Sequence, residues 1–269
     1  MKRFALLAML IIPAVVMGQD IVTTQFHSLP TTLEGKPITL QSVHAEFVKL
    51  VHGSVVMLYR QSESGDMKMT CTATAYREIP GGYRLASASH CVEGKTQIAR
   101  KQNKYFVTLD ETGEKKFMPA KLIDAGNKQE GDDFSIFEVK TSTHIDVLPL
   151  GDSSTLVAGD QVVSVAAPLG LGKQYFVGYV TIPTLDRPSL DAEDVKWTDV
   201  IVIHIGSGPG SSGSAVVSED QKAIVGFLVG HFGADVGAIV VPVKKFKAFE
   251  EAVDKGTYKH KSDPKDDDQ

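Results

Sequence analysis

The feature that most limits how this chain can fold is a series of short apolar, β-branched runs, each bounded by turn-forming residues. Runs of this length and spacing are typical of β-barrels and β-sandwiches. The polar stretch 140–144 and the turn 151–154 divide them into two similar groups, so the pattern predicts an all-β protein with one barrel in each half. The predicted strands are 54–59, 67–76, 83–87, 104–109, 116–123, 134–139, 161–166, 176–182, 200–205, 215–217, 223–229 and 237–241.

Two segments have the apolar spacing of one helical face instead. Residues 42–51 place Val43, Phe47 and Leu50 on such a face, with Ser42 as the expected N-cap. Residues 244–253 do the same and form a closing C-terminal helix.

The two ends of the sequence predict an exported protein. A basic start and an apolar run too short to span a bilayer make residues 1–18 a predicted signal peptide, with a short membrane anchor as the alternative. Residues 19–41 are interpreted as an extended N-terminal arm and residues 254–269 as a charged, solvated tail. The mature chain is therefore expected to be secreted or periplasmic, without stable membrane insertion.

Charge and cysteine content exclude several classes of function. The chain has 28 basic and 33 acidic residues and no basic cluster interleaved with aromatic residues, which argues against nucleic acid as a partner. Its only two cysteines, Cys71 and Cys91, most simply form one disulfide in an exported protein. Two cysteines without further ligands do not predict a metal site, and no cofactor is expected.

The segment 206–215, Gly-Ser-Gly-Pro-Gly-Ser-Ser-Gly-Ser-Ala, places glycines around two adjacent serines. Glycines allow the backbone to turn N–H groups toward a developing oxyanion, so the segment is typical of an active-site loop. Ser212 is then the expected nucleophile, and the N–H groups of Gly210 and Ser212 form the expected oxyanion hole. A flexible surface turn is the alternative.

A serine nucleophile needs a base and a carboxylate that orients the base. His90 follows a buried strand next to Cys91, so a disulfide there can fix its position. Asp133 begins an apolar strand and can point inward, although Asp132 is a competing candidate. Each residue alone also fits an ordinary loop or turn role, but the order His, Asp, Ser across two halves makes the three together a predicted triad.

These motifs resemble the chymotrypsin-like serine proteases, and among them the bacterial HtrA/Deg type. Ser89-His90-Cys91 is similar to the family's Ala-His-Cys, and segment 133–137 to its Asp-Ile-Ala-Leu-Leu strand. Segment 210–214 is similar to its Gly-x-Ser-Gly-Gly loop. The HtrA likeness rests on segments 47–56, 148–154, 158–163, 167–171 and 223–226, and the whole resemblance covers 42–253.

The resemblance implies two six-stranded antiparallel β-barrels, about 52–145 and 146–243, followed by the helix 244–253. It also implies a primary substrate pocket with Gly206 at its base, Ser207 beside it and Gly237 on the opposite wall. Leu228 stands where glutamate-specific relatives have histidine, so a neutral pocket for a medium or large apolar side chain is expected. His204 and His231 are interpreted as surface residues.

The sequence departs from its relatives at three places. Only a short tail follows the last predicted helix, where HtrA/Deg proteins continue into a PDZ domain, so the resemblance does not extend to regulation and oligomerisation of that type. Ser211 replaces the Asp that pairs with a freed N-terminus in digestive relatives, which excludes activation through that ion pair. Ser214-Ala215 replaces the usual Gly-Pro.

Together these observations predict an exported serine endopeptidase that acts on polypeptides through an acyl-enzyme. A protease-like binding module without activity is one alternative, and an esterase with the same triad is the other. The sequence does not specify an oligomeric state.

Overall fold

The computed structural model describes residues 40–260, apart from residues 93, 95, 96, 112, 189–195 and 233–236. The predicted signal peptide, nearly all of the N-terminal arm and the last nine residues of the tail lie outside the described residues. Both barrels and the C-terminal helix belong to one unit that begins at Val43. Within the described residues, no helix has the length and apolar content needed to cross a membrane.

Twelve strands form two closed antiparallel barrels, which confirms the predicted fold class. The first barrel contains β1 Val55–Gln61, β2 Met67–Ile79, β3 Gly82–Ser87, β4 Tyr105–Thr108, β5 Met118–Ala125 and β6 Ser135–Lys140. The second contains β7 Gln161–Ala166, β8 Gln174–Pro188, β9 Lys196–His204, β10 Ala215–Ser218, β11 Ala223–His231 and β12 Ala238–Pro242.

The two barrels have the same strand order. In the first barrel β1 pairs with β2 and β4, and β6 lies between β3 and β5. In the second, β7 pairs with β8 and β10, and β12 lies between β9 and β11. The two groups of strands seen in the sequence are therefore two copies of one topology.

In the described part of the chain, three α-helices accompany the barrels: α1 Leu40–Ser54, α2 Gln97–Gln102 and α3 Val243–Asp254. Helix α1 begins at Leu40, so the expectation that Ser42 is the N-cap is wrong, and Ser42 lies in the first turn. Leu40 continues the apolar spacing of Val43 and Phe47 by a further three residues, which extends the helical face toward the N-terminus. Helix α2 was not predicted.

Helix α3 joins the two barrels through its aromatic residues. The ring of Phe246 lies 5.5 Å from that of Phe134, next to β6, and 4.9 Å from that of Phe227 in β11. All three side chains are fully buried. Aromatic pairs at such distances each add about 1 kcal/mol beyond the burial of their area, so α3 holds the barrels in a fixed arrangement.

A buried carboxylate, Glu250, fixes the polar side of the same helix. Its two oxygens accept hydrogen bonds from the hydroxyl of Tyr76 at 2.7 Å and from Arg77 at 2.9 Å. Arg84 donates to it as well, at 3.2 Å. Burial, and then the negative charge of Glu250, raise the pKa of the Tyr76 hydroxyl well above its usual range, so Tyr76 remains a donor.

Replacing Glu250 with Gln is expected to lower the free energy of unfolding by about 3 kcal/mol, because it removes the buried negative charge that pairs with Arg77 and Arg84 and places an amide N–H₂ group where one carboxylate oxygen accepted. Urea unfolding at neutral pH measures this change. Glu251→Gln is the matched control, since Glu251 is exposed on the same helix and, within the described part of the chain, pairs with Lys255 alone. A Glu250→Gln protein with the midpoint of the Glu251→Gln protein would contradict the role assigned to this carboxylate.

Candidate active site

Asp133 lies between a 3-10 turn, Lys128–Glu130, and the start of β6, and it is completely buried. One carboxylate oxygen accepts from the hydroxyl of Ser89 at 2.7 Å and from the backbone N–H of His90 at 2.9 Å. The other oxygen contacts Nδ1 of His90 at 2.7 Å. Burial alone would raise the pKa of Asp133, but the hydrogen bonds and the charge of His90 lower it below its usual range, so the carboxylate is ionised at neutral pH.

His90 lies in a single 3-10 turn, Ser89–Cys91, which directly follows β3 and residue Ala88. Because the carboxylate of Asp133 can only accept, Nδ1 carries the proton in this contact, and in the neutral form of the ring the lone pair is on Nε2. The side chain of His90 is 28% exposed, whereas that of Asp133 is not exposed at all. The ring is therefore fixed from its buried edge and can accept a proton at its other nitrogen.

Asp132, the competing carboxylate, is positioned differently. Its side chain is 37% exposed and lies 3.9 Å from Nζ of Lys245 in α3. The contact with His90 is made by Asp133. The chain reverses at Gly131, where φ is +79°, directly before these two aspartates.

The predicted disulfide is present and joins Cys71 of β2 to Cys91. It ties the turn that carries His90 to the neighbouring strand of the first barrel. A ring nitrogen of His90 and the two sulfur atoms lie within 4.8 Å of one another. Since the sulfurs are bonded to each other, they are not available as metal ligands.

Replacing both cysteines with Ala is expected to lower the free energy of unfolding by about 3 kcal/mol, because the disulfide closes a loop of 20 residues in the unfolded chain. Thermal unfolding of this double variant against the wild type measures the loss. The unmodified protein treated with a reductant provides the control, and it should lose the same amount. Equal melting temperatures for all three samples would show that the disulfide does not contribute to stability.

The two adjacent serines in the loop between β9 and β10 have different environments. Ser211 is completely buried, and its hydroxyl accepts a hydrogen bond from the N–H of Gly208 at 3.2 Å. Ser212 is partly exposed, and among the described residues its hydroxyl has no hydrogen-bond partner. Catalytic hydrogen bonds are often long in unliganded structures, so Ser212 is the serine whose hydroxyl is available to a substrate.

Hydrogen bonds to carbonyl oxygens of this loop fix the orientation of its peptide groups. The oxygen of Pro209 accepts from the N–H of Leu169 at 2.7 Å, and that of Ser211 accepts from the N–H of Ser214 at 3.1 Å. In a trans peptide the N–H points opposite to the carbonyl, so these contacts turn the N–H groups of Gly210 and Ser212 the other way. Neither N–H has an acceptor among the described residues, which is the arrangement an oxyanion hole requires.

The loop lies directly against the part of the first barrel that carries His90. Gly213, at φ +84°, approaches Ser87 and Ala88 so closely that an added Cβ would lie 2.8 Å from the nitrogen of Ala88. The N–H of Thr72 donates to the oxygen of Ser212 at 3.0 Å. The loop that carries Ser212 therefore lies against β2 and the end of β3, the strand that precedes the turn of His90.

The residues predicted for the substrate pocket have different environments. Gly206 is exposed, and a Cβ added to it would lie 2.9 Å from the ring of Phe176, a residue that no sequence motif indicated. Leu228 is buried in the core of the second barrel, although its carbonyl accepts from the N–H of Gly213 at 2.7 Å. Gly237 has φ +144° and packs against Val202.

The hydroxyl of Ser207 lies 3.2 Å from Nδ1 of His231, at the end of β11. His204 and His231 are both exposed, and the contact with Ser207 places His231 beside the predicted pocket.

The paired barrels and this arrangement of residues define a chymotrypsin-like peptidase domain. A family model described as a trypsin-like peptidase domain matches residues 70–227, and the chain belongs to this family. That range includes His90, Asp133 and Ser212. It also supports the predicted resemblance to chymotrypsin-like serine proteases.

Solved structures of an HtrA-type protease share the fold. The chain is similar to the HtrA-type protease AlgW with tripeptide at 17% sequence identity and a TM-score of 0.58, covering 79% of this chain and 64% of that one. It is also similar to AlgW with decapeptide at 16% identity and a TM-score of 0.60, covering 80% of this chain and 68% of that one. The chain thus spans about two thirds of the length of these proteases.

Proposed function

We propose that this protein is an exported serine endopeptidase that cleaves polypeptides through an acyl-enzyme, with Ser212, His90 and Asp133 as its triad. The observation that carries the proposal is the fully buried, ionised Asp133, which holds Nδ1 of the partly exposed His90 at 2.7 Å. A buried carboxylate with three converging donors stabilises a ring that becomes positively charged. Export is supported by the apolar leader and the disulfide.

In the first half of the reaction, Nε2 of His90 removes the hydroxyl proton of Ser212 as Oγ bonds to the scissile carbonyl carbon. The carbonyl oxygen becomes an oxyanion and accepts from the N–H groups of Gly210 and Ser212. The proton on Nε2 then passes to the leaving amine as the C–N bond breaks, which leaves the acyl group on Ser212. Asp133 remains ionised and holds the ring throughout.

In the second half, water replaces the amine. Nε2 takes a proton from the water as its oxygen attacks the acyl carbon, and the same nitrogen returns the proton to Oγ of Ser212 when the acid leaves. Each proton therefore moves through one ring nitrogen. The cycle ends with the free enzyme and needs no group beyond these side chains and backbone donors.

We further propose that the pocket accepts an apolar side chain before the scissile bond. Phe176 lies against Gly206, and none of the described residues assigned to the pocket has a carboxylate that could pair with Lys or Arg. Gly206 has no side chain, and the apolar ring of Phe176 lies where a Cβ would be. His231 and Ser207 make one part of the rim polar.

A peptide library that varies the residue before the scissile bond tests both the activity and the pocket. Cleavage after medium or large apolar residues is the expected profile, and casein should be degraded as well. Preferential cleavage after Lys, Arg or Glu would contradict the proposed pocket. Hydrolysis of simple esters without cleavage of any peptide would favour an esterase, and no hydrolysis at all would favour an inactive binding module.

A further inference from the structure

The hydroxyl of Thr72 links two loops of the second barrel from a strand of the first. Thr72 belongs to β2, follows the disulfide residue Cys71 and is completely buried. Its Oγ1 donates to the carbonyl oxygen of Gly210 at 2.8 Å and accepts from the N–H of Ala167 at 3.1 Å. One hydroxyl thus donates to one segment and accepts from another, and the two segments are far apart in sequence.

The backbone of Thr72 makes two more contacts in the same place. Its N–H donates to the carbonyl oxygen of Ser212 at 3.0 Å, and its own carbonyl accepts from the hydroxyl of Ser87 at 2.7 Å. The carbonyls on both sides of Ser211 are therefore held by one residue. The contact with Gly210 limits rotation of the peptide group 210–211, which lies between the two peptide groups that carry the N–H groups of Gly210 and Ser212. The contact with Ser212 limits rotation of the peptide group that follows it.

The loop needs such support because of its composition. Gly210 and Gly213 have φ values of +97° and +84°, and glycine loses more conformational freedom on folding than any other residue. Hydrogen bonds to the carbonyls of such a loop fix peptide orientations that the glycines themselves leave free. The hydroxyl of Thr72 also reaches Ala167, whose segment continues to Leu169, the donor to Pro209.

We propose that Thr72 is a positioning residue that keeps the N–H groups of Gly210 and Ser212 oriented for the oxyanion, and that its hydroxyl is the part that does so. The proposal rests on the proposed peptidase function. Thr72 does not touch the reacting atoms, and it acts through the carbonyl of Gly210. Because it adjoins Cys71, the same part of β2 fixes both the nucleophile loop and, through Cys91, the turn of His90.

Three variants of the full chain separate this role from general stability. Thr72→Val keeps the shape of the side chain and removes the hydroxyl, and Thr72→Ser restores the hydroxyl. Thr74→Val is the matched control, because Thr74 is equally buried in β2 and accepts from the N–H of Ala215, which begins β10 beyond the loop. Thermal unfolding is measured for all three.

Steady-state hydrolysis of a cleaved library peptide is the first readout. Thr72→Val is expected to lower kcat at least about tenfold with little change in KM, since a small displacement of oxyanion donors affects the transition state more than substrate binding. Thr72→Ser should restore kcat to within about threefold of the wild type, and Thr74→Val should keep it. A kcat for Thr72→Val equal to that of Thr74→Val would overturn the proposal.

Amide hydrogen exchange of segment 206–214 is the second readout and needs no activity. The N–H groups of Ser211 and Gly213 donate to Gly208 and Leu228, and they should exchange about tenfold faster in Thr72→Val than in Thr72→Ser or Thr74→Val. Unchanged exchange would overturn the positioning role even in an inactive protein. A wild type without hydrolysis but with the expected exchange would instead contradict the proposed function alone.

Discussion

Replacing Ser212 with Ala is expected to lower kcat for peptide hydrolysis by about 10⁶-fold, because no acyl-enzyme can form without its oxygen. The partly exposed hydroxyl makes no structural hydrogen bond among the described residues, so the fold should be unaffected. Burst and steady-state kinetics on one library peptide measure the loss. Thermal unfolding should give the same midpoint for variant and wild type.

Ser211→Ala is the control for this experiment. The hydroxyl of Ser211 is buried and accepts from the N–H of Gly208, so its removal changes the loop without removing the nucleophile. Ser211→Ala should keep most of the hydrolysis that Ser212→Ala loses. The reverse result would move the nucleophile to Ser211 and refute the proposed triad.

Replacing Asp133 with Asn is expected to lower kcat by about 10⁴-fold while leaving the shape of the site intact. Three donors converge on this side chain, from the hydroxyl of Ser89 and from the backbone and ring of His90. An amide brings a donor of its own into that position, so the ring no longer has its proton held at Nδ1 and Nε2 is a poorer base. The kcat of the variant on one library peptide, compared with the wild type, measures the effect.

Asp132→Asn is the matched control, because Asp132 is the neighbouring carboxylate and lies against Lys245 rather than His90. Its kcat should stay within about twofold of the wild type. An Asp133→Asn variant as active as Asp132→Asn would show that the buried carboxylate does not orient the base.

Asp133 should also contribute to the pH dependence of stability. Its pKa is lowered in the folded protein relative to about 3.9 in an unfolded chain, so its contribution is fully present above that value and is lost as the pH falls through the folded pKa. The free energy of unfolding is therefore expected to decline less steeply below pH 4 in Asp133→Asn than in the wild type. Urea unfolding between pH 6 and pH 3 compares the two.

The strands could be predicted from the sequence because each is short, largely apolar and closed by turn residues. The hairpin of β8 and β9 was predicted too short. Thr181, Ile182 and Thr184 are exposed, so the outer part of β8 lacks the alternation of a half-buried strand, and Pro183 interrupts it. Helix α2 has only six residues, too few for a periodic pattern to identify it.

The candidate site could be predicted only in part. The order of His90, Asp133 and Ser212 and the glycines around Ser212 were visible, whereas the choice between Asp132 and Asp133 depends on which side chain becomes buried. Thr72 gave no signal, because its hydroxyl contacts Gly210 at a separation of 138 residues. Ser89 was noted only as a departure from Ala, and its hydroxyl proves to donate to Asp133.

The most direct test of the account is to identify the residue that a fluorophosphonate modifies. The purified chain is labelled at neutral pH and digested, and the modified peptide is sequenced by mass spectrometry. We predict one adduct per chain, on the oxygen of Ser212, and none after Ser212→Ala. An adduct on any other residue, or a protein that hydrolyses peptides without being labelled, would contradict the account.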